Sequence, residues 1–152
     1  MKKGFTLIET LIYIALFSLL LGGAFVITYQ LIESSGKLSI KNTIQNEGNF
    51  VMRKLSWALT GVDYTITTTP TSGNSPTNRL VVTKYNGNKI TMQLNGTKIE
   101  MKESANDNTF LAITTDNVVV SSLSFQYETL GGITATAIID GVTFTTTKYF
   151  RK

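Results

Sequence analysis

The residue whose type and position promise chemistry is Glu9. It stands at the head of an apolar stretch, and from Thr10 to Ile32 no charged residue follows it. A carboxylate in hydrocarbon is costly, and such groups pair with another charge and mark function. A plainer reading also fits: Glu9 caps the Phe5 and Thr6 amides and complements the dipole of a helix that begins there.

Elsewhere the chemical repertoire is narrow. The chain has no His and no Cys, so imidazole and thiolate chemistry and disulfide staples are excluded, and a zinc site of ordinary composition with them. No serine stands in a G-x-S-x-G elbow. Gly22-Gly23 and Gly131-Gly132 lack the spacing of a phosphate-binding loop. No catalytic residue, metal site or cofactor is expected, and the chain does not read as an enzyme. Glu103, Asn106, Asp107 and Asn108 put oxygen ligands into one loop, but their spacing does not match a calcium-binding EF-hand and a solvated turn explains them. Lys84, Tyr85, Lys89, Lys98 and Lys102 suggest a basic strip for nucleic acid, and lysines on outward sheet positions also protect strand edges. The formal net charge is +4, with 14 basic and 10 acidic side chains. Two of the basic ones are Lys2 and Lys3, and without them the balance is too small to argue for an electrostatic partner.

The elements that position Glu9 follow from hydropathy. As a helix, residues 10–32 extend about 34 Å at ~1.5 Å per residue, enough to cross a hydrocarbon core about 30 Å thick with some tilt. Lys2 and Lys3 precede the run and no basic residue follows until Lys37. That asymmetry keeps the N-terminus in the cytoplasm and sends the remainder across. A secretory signal cut near Gly22-Gly23-Ala24 is one reading, but the run is long for a signal and Glu9 lies inside it. An uncut signal anchor is another.

A third reading rests on Lys2-Lys3-Gly4-Phe5-Thr6-Leu7-Ile8-Glu9 followed by about twenty apolar residues. This pattern resembles the N-terminus of type IV prepilins and pseudopilins. The resemblance implies that a prepilin peptidase cuts between Gly4 and Phe5 on the cytoplasmic side and methylates the new Phe5 amine. It also implies that Glu9 of an incoming subunit meets the Phe5 ammonium of its neighbour during filament assembly. The physics agrees, since the cut creates an ammonium one helical turn from Glu9. Many relatives carry a proline in the apolar run; here the first proline is Pro70. Gly22-Gly23 takes that place, either as a weak point in the helix or as a close-packing face.

Beyond the apolar run, Ile40, Ile44, Gly48, Val51, Leu55, Leu59 and Val62 recur at three- and four-residue spacing, the mark of an amphipathic helix. One helix from about Phe5 to about Thr60 is expected, with minor breaks at Gly36 or Gly48 and an end near Gly61. Residues 69–78 are polar with two prolines and read as a loop. From Arg79 the period becomes two. Strands are expected near 79–85, 88–94 and 97–102, with Asn86-Gly87 and Asn95-Gly96 as tight turns. Further strands are expected near 118–129, 133–140 and 142–149, turning at Gly131-Gly132 and Asp140-Gly141. A short strand at 110–114 has no assigned sheet.

The expected fold is α+β: a long N-terminal helix packed on an antiparallel head of two meanders. The divisions are a leader at 1–4, a transmembrane half-helix at 5–33, an amphipathic half at 34–61 and the head at 62–152. In plan the head resembles minor pilins or J-type minor pseudopilins. The resemblance implies a filament subunit for surface pili, secretion or DNA uptake. Its partners would be prepilin peptidase, other pilins through the N-terminal helix, an inner-membrane assembly platform, and lipid before assembly. The subunit would be a single-pass membrane protein with its head outside the cytoplasm. The alternative is a membrane-tethered adhesin or DNA-contact protein that does not polymerise.

Overall fold

The computed structural model describes residues 6–63, 69–71, 76–103 and 109–150. The chain divides into two compact units, Met1–Lys41 and Asn42–Lys152. Helix α1 spans Leu7–Ala58. Among the described residues seven strands follow: β1 (Arg79–Thr83), β2 (Lys89–Asn95), β3 (Lys98–Lys102), β4 (Leu111–Ala112), β5 (Val120–Glu128), β6 (Gly132–Ile139) and β7 (Val142–Tyr149).

Thr6 opens α1. Its Oγ1 accepts the Glu9 amide at 3.4 Å, and Thr-x-x-Glu is the capping-box spacing. In the first unit the helix carries its apolar residues on all sides, and none of its most apolar stretch is buried within the protein. A helix apolar all round has no solvated face, so it requires an apolar environment. In the second unit the helix has one buried stripe. Gly48, Val51, Leu55 and Ala58 are buried along it, and Leu59 and Val62 continue it beyond the helix end. Ile44 is half-buried against this core, but Ile40 is 64% exposed. The stripe read from the sequence therefore starts about two turns late, at Gly48. Neither Gly36 nor Gly48 interrupts α1, which ends at Ala58. Leu59 still bonds back to Leu55 at 3.0 Å, and Gly61 at φ +70° then turns the chain out, a conformation that favours glycine.

The expected α+β architecture is present, with two antiparallel sheets ordered β1-β2-β3-β4 and β5-β6-β7. The short strand without an assigned sheet is β4, which pairs with β3 through Glu100↔Ala112 and Met101↔Leu111. The sheets are tied by Thr77, whose amide donates to the Phe125 carbonyl at 2.9 Å and whose carbonyl accepts the Phe125 amide at 2.8 Å. Asp140-Gly141 forms the expected two-residue hairpin, with φ of 46° and 79° and Ile139 paired to Val142. Both central residues need positive φ in such a turn, which is why Asp-Gly suits it. At the other hairpin the turn lies one residue later than Asn95-Gly96. Asn95 pairs with Lys98, so Gly96-Thr97 forms the loop and Asn95 ends β2.

Alternation sets the core. Phe125, Leu123, Ile133, Ala135, Ala137 and Ile139 fill one face of the three-stranded sheet, and Leu80, Val82, Ile90, Met92 and Ile99 come from the other sheet. Helix and both sheets share this one cluster. Thr114 is also buried, and its Oγ1 accepts the Ile99 amide at 3.1 Å, so its polar group is satisfied.

Gly48 is the tightest seat in this packing. The Phe144 ring of β7 lies where a Cβ at residue 48 would stand, so the glycine lets helix and sheet close on each other. Gly48→Leu is expected to lower head stability by about 1–3 kcal/mol through overpacking, despite its better helix propensity. Urea unfolding of Gly48→Leu, Phe144→Ala and the double variant checks the contact, with a coupling above about 0.5 kcal/mol expected. Additive losses would place the cost elsewhere.

Candidate functional site

The candidate site is the start of α1. Gly4 and Phe5, where the leader is expected to be cut and the new amine methylated, lie outside the described residues. Glu9 is described and partly buried in the first turn of the helix. Its amide is held by Thr6 Oγ1. Its carboxylate does not turn back to cap the described amides; Oε1 accepts a hydrogen bond from the Tyr13 hydroxyl at 3.3 Å. Tyr13 was not singled out from the sequence, although its position four residues beyond Glu9 puts the two on one helix face.

Two other hydroxyls of this segment are engaged with backbone. Thr10 Oγ1 donates to the Thr6 carbonyl at 3.3 Å, and Thr28 Oγ1 donates to the Ala24 carbonyl at 2.8 Å. Bonds of this kind satisfy polar groups where no water is at hand. Around them Leu7, Ile8, Leu11, Phe17, Leu19, Leu20, Phe25 and Leu31 are all exposed. The first charges after the uncharged run, Glu33 and Lys37, pair with each other at 2.7 Å on one helix face. The arrangement is a membrane-length apolar helix with one acidic group near its start. It offers an ion-pairing position and a packing surface.

The head does not assemble the other sequence candidates into one site. Lys84 and Lys89 lie at one end of the β1-β2 hairpin, whereas Lys98 is at the opposite end of β2, across from Asn95. Lys98 is paired with Asp116. Lys84 Nζ sits 3.7 Å over the Trp57 ring, and Lys102 Nζ is 5.8 Å from the Phe110 ring centre. Lys84, Lys98 and Lys102 are thus occupied locally, and the strip seen in the sequence is split by the strand register. Of the proposed calcium loop, Glu103 is exposed beyond β3, and Asn106, Asp107 and Asn108 lie outside the described residues. Among the described residues no cluster of three acidic groups forms a metal site.

Residues 1–25 match the family described as the prokaryotic N-terminal methylation motif. No curated protein and no solved structure matches the chain. The match covers the Gly4-Phe5 junction, Glu9 and the first turns of the apolar helix, and with the 52-residue helix α1 it leads to one conclusion. The chain carries the prokaryotic N-terminal methylation motif, the leader of the type IV prepilins, at the start of its apolar helix.

Proposed function

We propose that this chain is a minor pilin or pseudopilin subunit. Prepilin peptidase removes residues 1–4 and methylates Phe5, and the subunit then leaves the membrane by packing its N-terminal helix among those of other subunits. The head lies on the non-cytoplasmic side, and the filament serves a surface pilus, a secretion system or DNA uptake. An inner-membrane assembly platform receives the processed subunit. The observation that carries this reading is the methylation motif at residues 1–25, set on a helix whose apolar surface has no partner within the unit it belongs to.

Physically, such a helix has two stable environments. In lipid the apolar side chains are solvated by hydrocarbon, and the cost falls on Glu9. In a helix bundle the same side chains pack on one another, and Glu9 meets an ammonium. The second environment neutralises the costly charge, so the pairing of Glu9 with the Phe5 amine favours assembly over the membrane-bound state and sets the axial register.

Mass spectrometry of the protein from its native host tests the processing step. The expected N-terminus is methylated Phe5. An intact Met1, or a start near Ala24, would falsify the proposal and favour a tethered or secreted binding protein.

A further inference from the structure

We propose that Tyr13 is a positioning residue for Glu9: its phenol O–H holds one carboxylate oxygen against the helix and leaves the other for an incoming ammonium. This rests on the reading of Glu9 as an assembly residue and adds a group to that site. The contact follows from helix geometry. Side chains on an α-helix lean toward its N-terminus, so a residue four places on covers the one before it. Tyr13 is long enough to bring its hydroxyl to Glu9 Oε1 at 3.3 Å.

Two neighbouring donors are spoken for: the Glu9 amide goes to Thr6 Oγ1, and the Thr10 hydroxyl goes to the Thr6 carbonyl. No charged side chain lies between Thr10 and Ile32. Among the described residues, the carboxylate's hydrogen-bond donor is the Tyr13 phenol. In lipid an undonated carboxylate is at its most costly. A phenol suits the task because its ring lies in hydrocarbon while its O–H serves the anion. A carboxylate has two oxygens and accepts from more than one donor. Oε1 engaged by Tyr13 therefore leaves Oε2 for the neighbour's ammonium. The phenol also holds the carboxylate near the helix surface before that neighbour arrives, which removes a rotameric cost from the pairing step.

A tyrosine near a membrane surface also serves as an interfacial anchor, a role carried by the ring and its polar tip without reference to Glu9. Tyr13→Phe, Glu9→Ala, the double variant and the control Tyr29→Phe separate the two. Each full-length chain is expressed in its native host, and the fraction recovered in sheared filaments is compared with the fraction left in the membrane. The Phe variant at position 13 is expected to be cut after Gly4 as usual but to enter filaments roughly two- to tenfold less, the loss of one hydrogen bond. In the double variant incorporation is expected to be no lower than in Glu9→Ala alone, because the two side chains act as a unit.

The second readout needs no filament. Infrared spectra of the unassembled chain, labelled with 13C-glutamate and held in phosphatidylcholine vesicles, contain a carboxylate band that Glu9→Ala removes. Tyr13→Phe should displace that band, and Tyr29→Phe should not. An unmoved band in the Tyr13 variant overturns the contact. Wild-type incorporation of that variant, or an equal further loss on top of Glu9→Ala, overturns its positioning role. Normal incorporation of Glu9→Ala overturns the assembly reading of Glu9, and is told apart from the other failures because the band still reports the contact.

Discussion

Glu9→Ala is expected to yield a subunit that is cut and methylated normally, stays in the membrane and enters filaments at about one hundredth of the wild-type level or less. The variant leaves the Gly4-Phe5 junction intact and makes the apolar run more uniformly apolar, so insertion is preserved or improved. The loss falls on assembly. In the filament the neighbour's Phe5 ammonium would lie among apolar helices with no counter-charge. Removing one partner of a buried pair costs about 3–5 kcal/mol, and each ~1.4 kcal/mol is a factor of ten. Glu9→Gln should recover part of the hydrogen bonding but none of the charge, and should incorporate between the alanine variant and wild type. The readout is an immunoblot of sheared filaments against membranes, normalised to the processed form. Incorporation of Glu9→Ala at the wild-type level would remove the assembly role and leave Glu9 as a helix-start residue.

The second large effect is in the head. Phe125→Ala is expected to destabilise the head by about 3–5 kcal/mol. Phe125 is fully buried, it is paired through its backbone to Thr77, and it stands opposite Ala135 on β6. Its small cross-strand neighbour cannot move in to fill the void, and cavity cost rises when a site cannot collapse. A domain of this size has about 5–15 kcal/mol of stability in all, so the loss is a large share of it. Urea unfolding of the detergent-solubilised chain measures it, and Phe125→Leu should cost less than half as much. Limited proteolysis in membranes gives an independent view: the head should become protease-sensitive while the N-terminal helix stays inserted and processed. A loss below ~1 kcal/mol would mean that the ring is not central to the core.

The two predictions touch different units of the chain. Glu9 lies in the first compact unit and Phe125 in the second. The alanine variant at position 9 should leave the urea midpoint of the head unchanged, and the variant at position 125 should leave cleavage unchanged.

Much of this protein was legible from residue order. The apolar run with its single acidic member, the helix and the two meanders all rest on local patterns: periods of 3.6 and 2, and turn residues between them. The β5-β6-β7 meander is a case in point. Leu123 and Phe125 alternate with serines, Ala135 and Ala137 with threonines, and Asp140-Gly141 makes the tight turn. Local chemistry was enough because antiparallel hairpins pair neighbours in sequence.

What the sequence left open depends on non-local contact. Ile40 has the spacing of a core residue yet is exposed, because spacing along a helix marks a face and does not say what covers it. Gly48 reads as a position on the apolar stripe and a minor break, and its role as a packing seat comes only from the Phe144 ring of β7, far along the chain, closing on it. The lysines at 84, 89, 98 and 102 look like one strip, but strand register puts Lys98 at the other end of β2. Which sheet would take β4, and that both sheets would share one core with the helix, were likewise matters of tertiary packing. Near the N-terminus the division is the same at a smaller scale. Residue order alone establishes the motif and the costly carboxylate, since both are properties of a contiguous segment. Only the folded helix shows the Glu9 carboxylate meeting the Tyr13 phenol, because a hydrogen bond is decided by distance and direction, which spacing permits but does not choose.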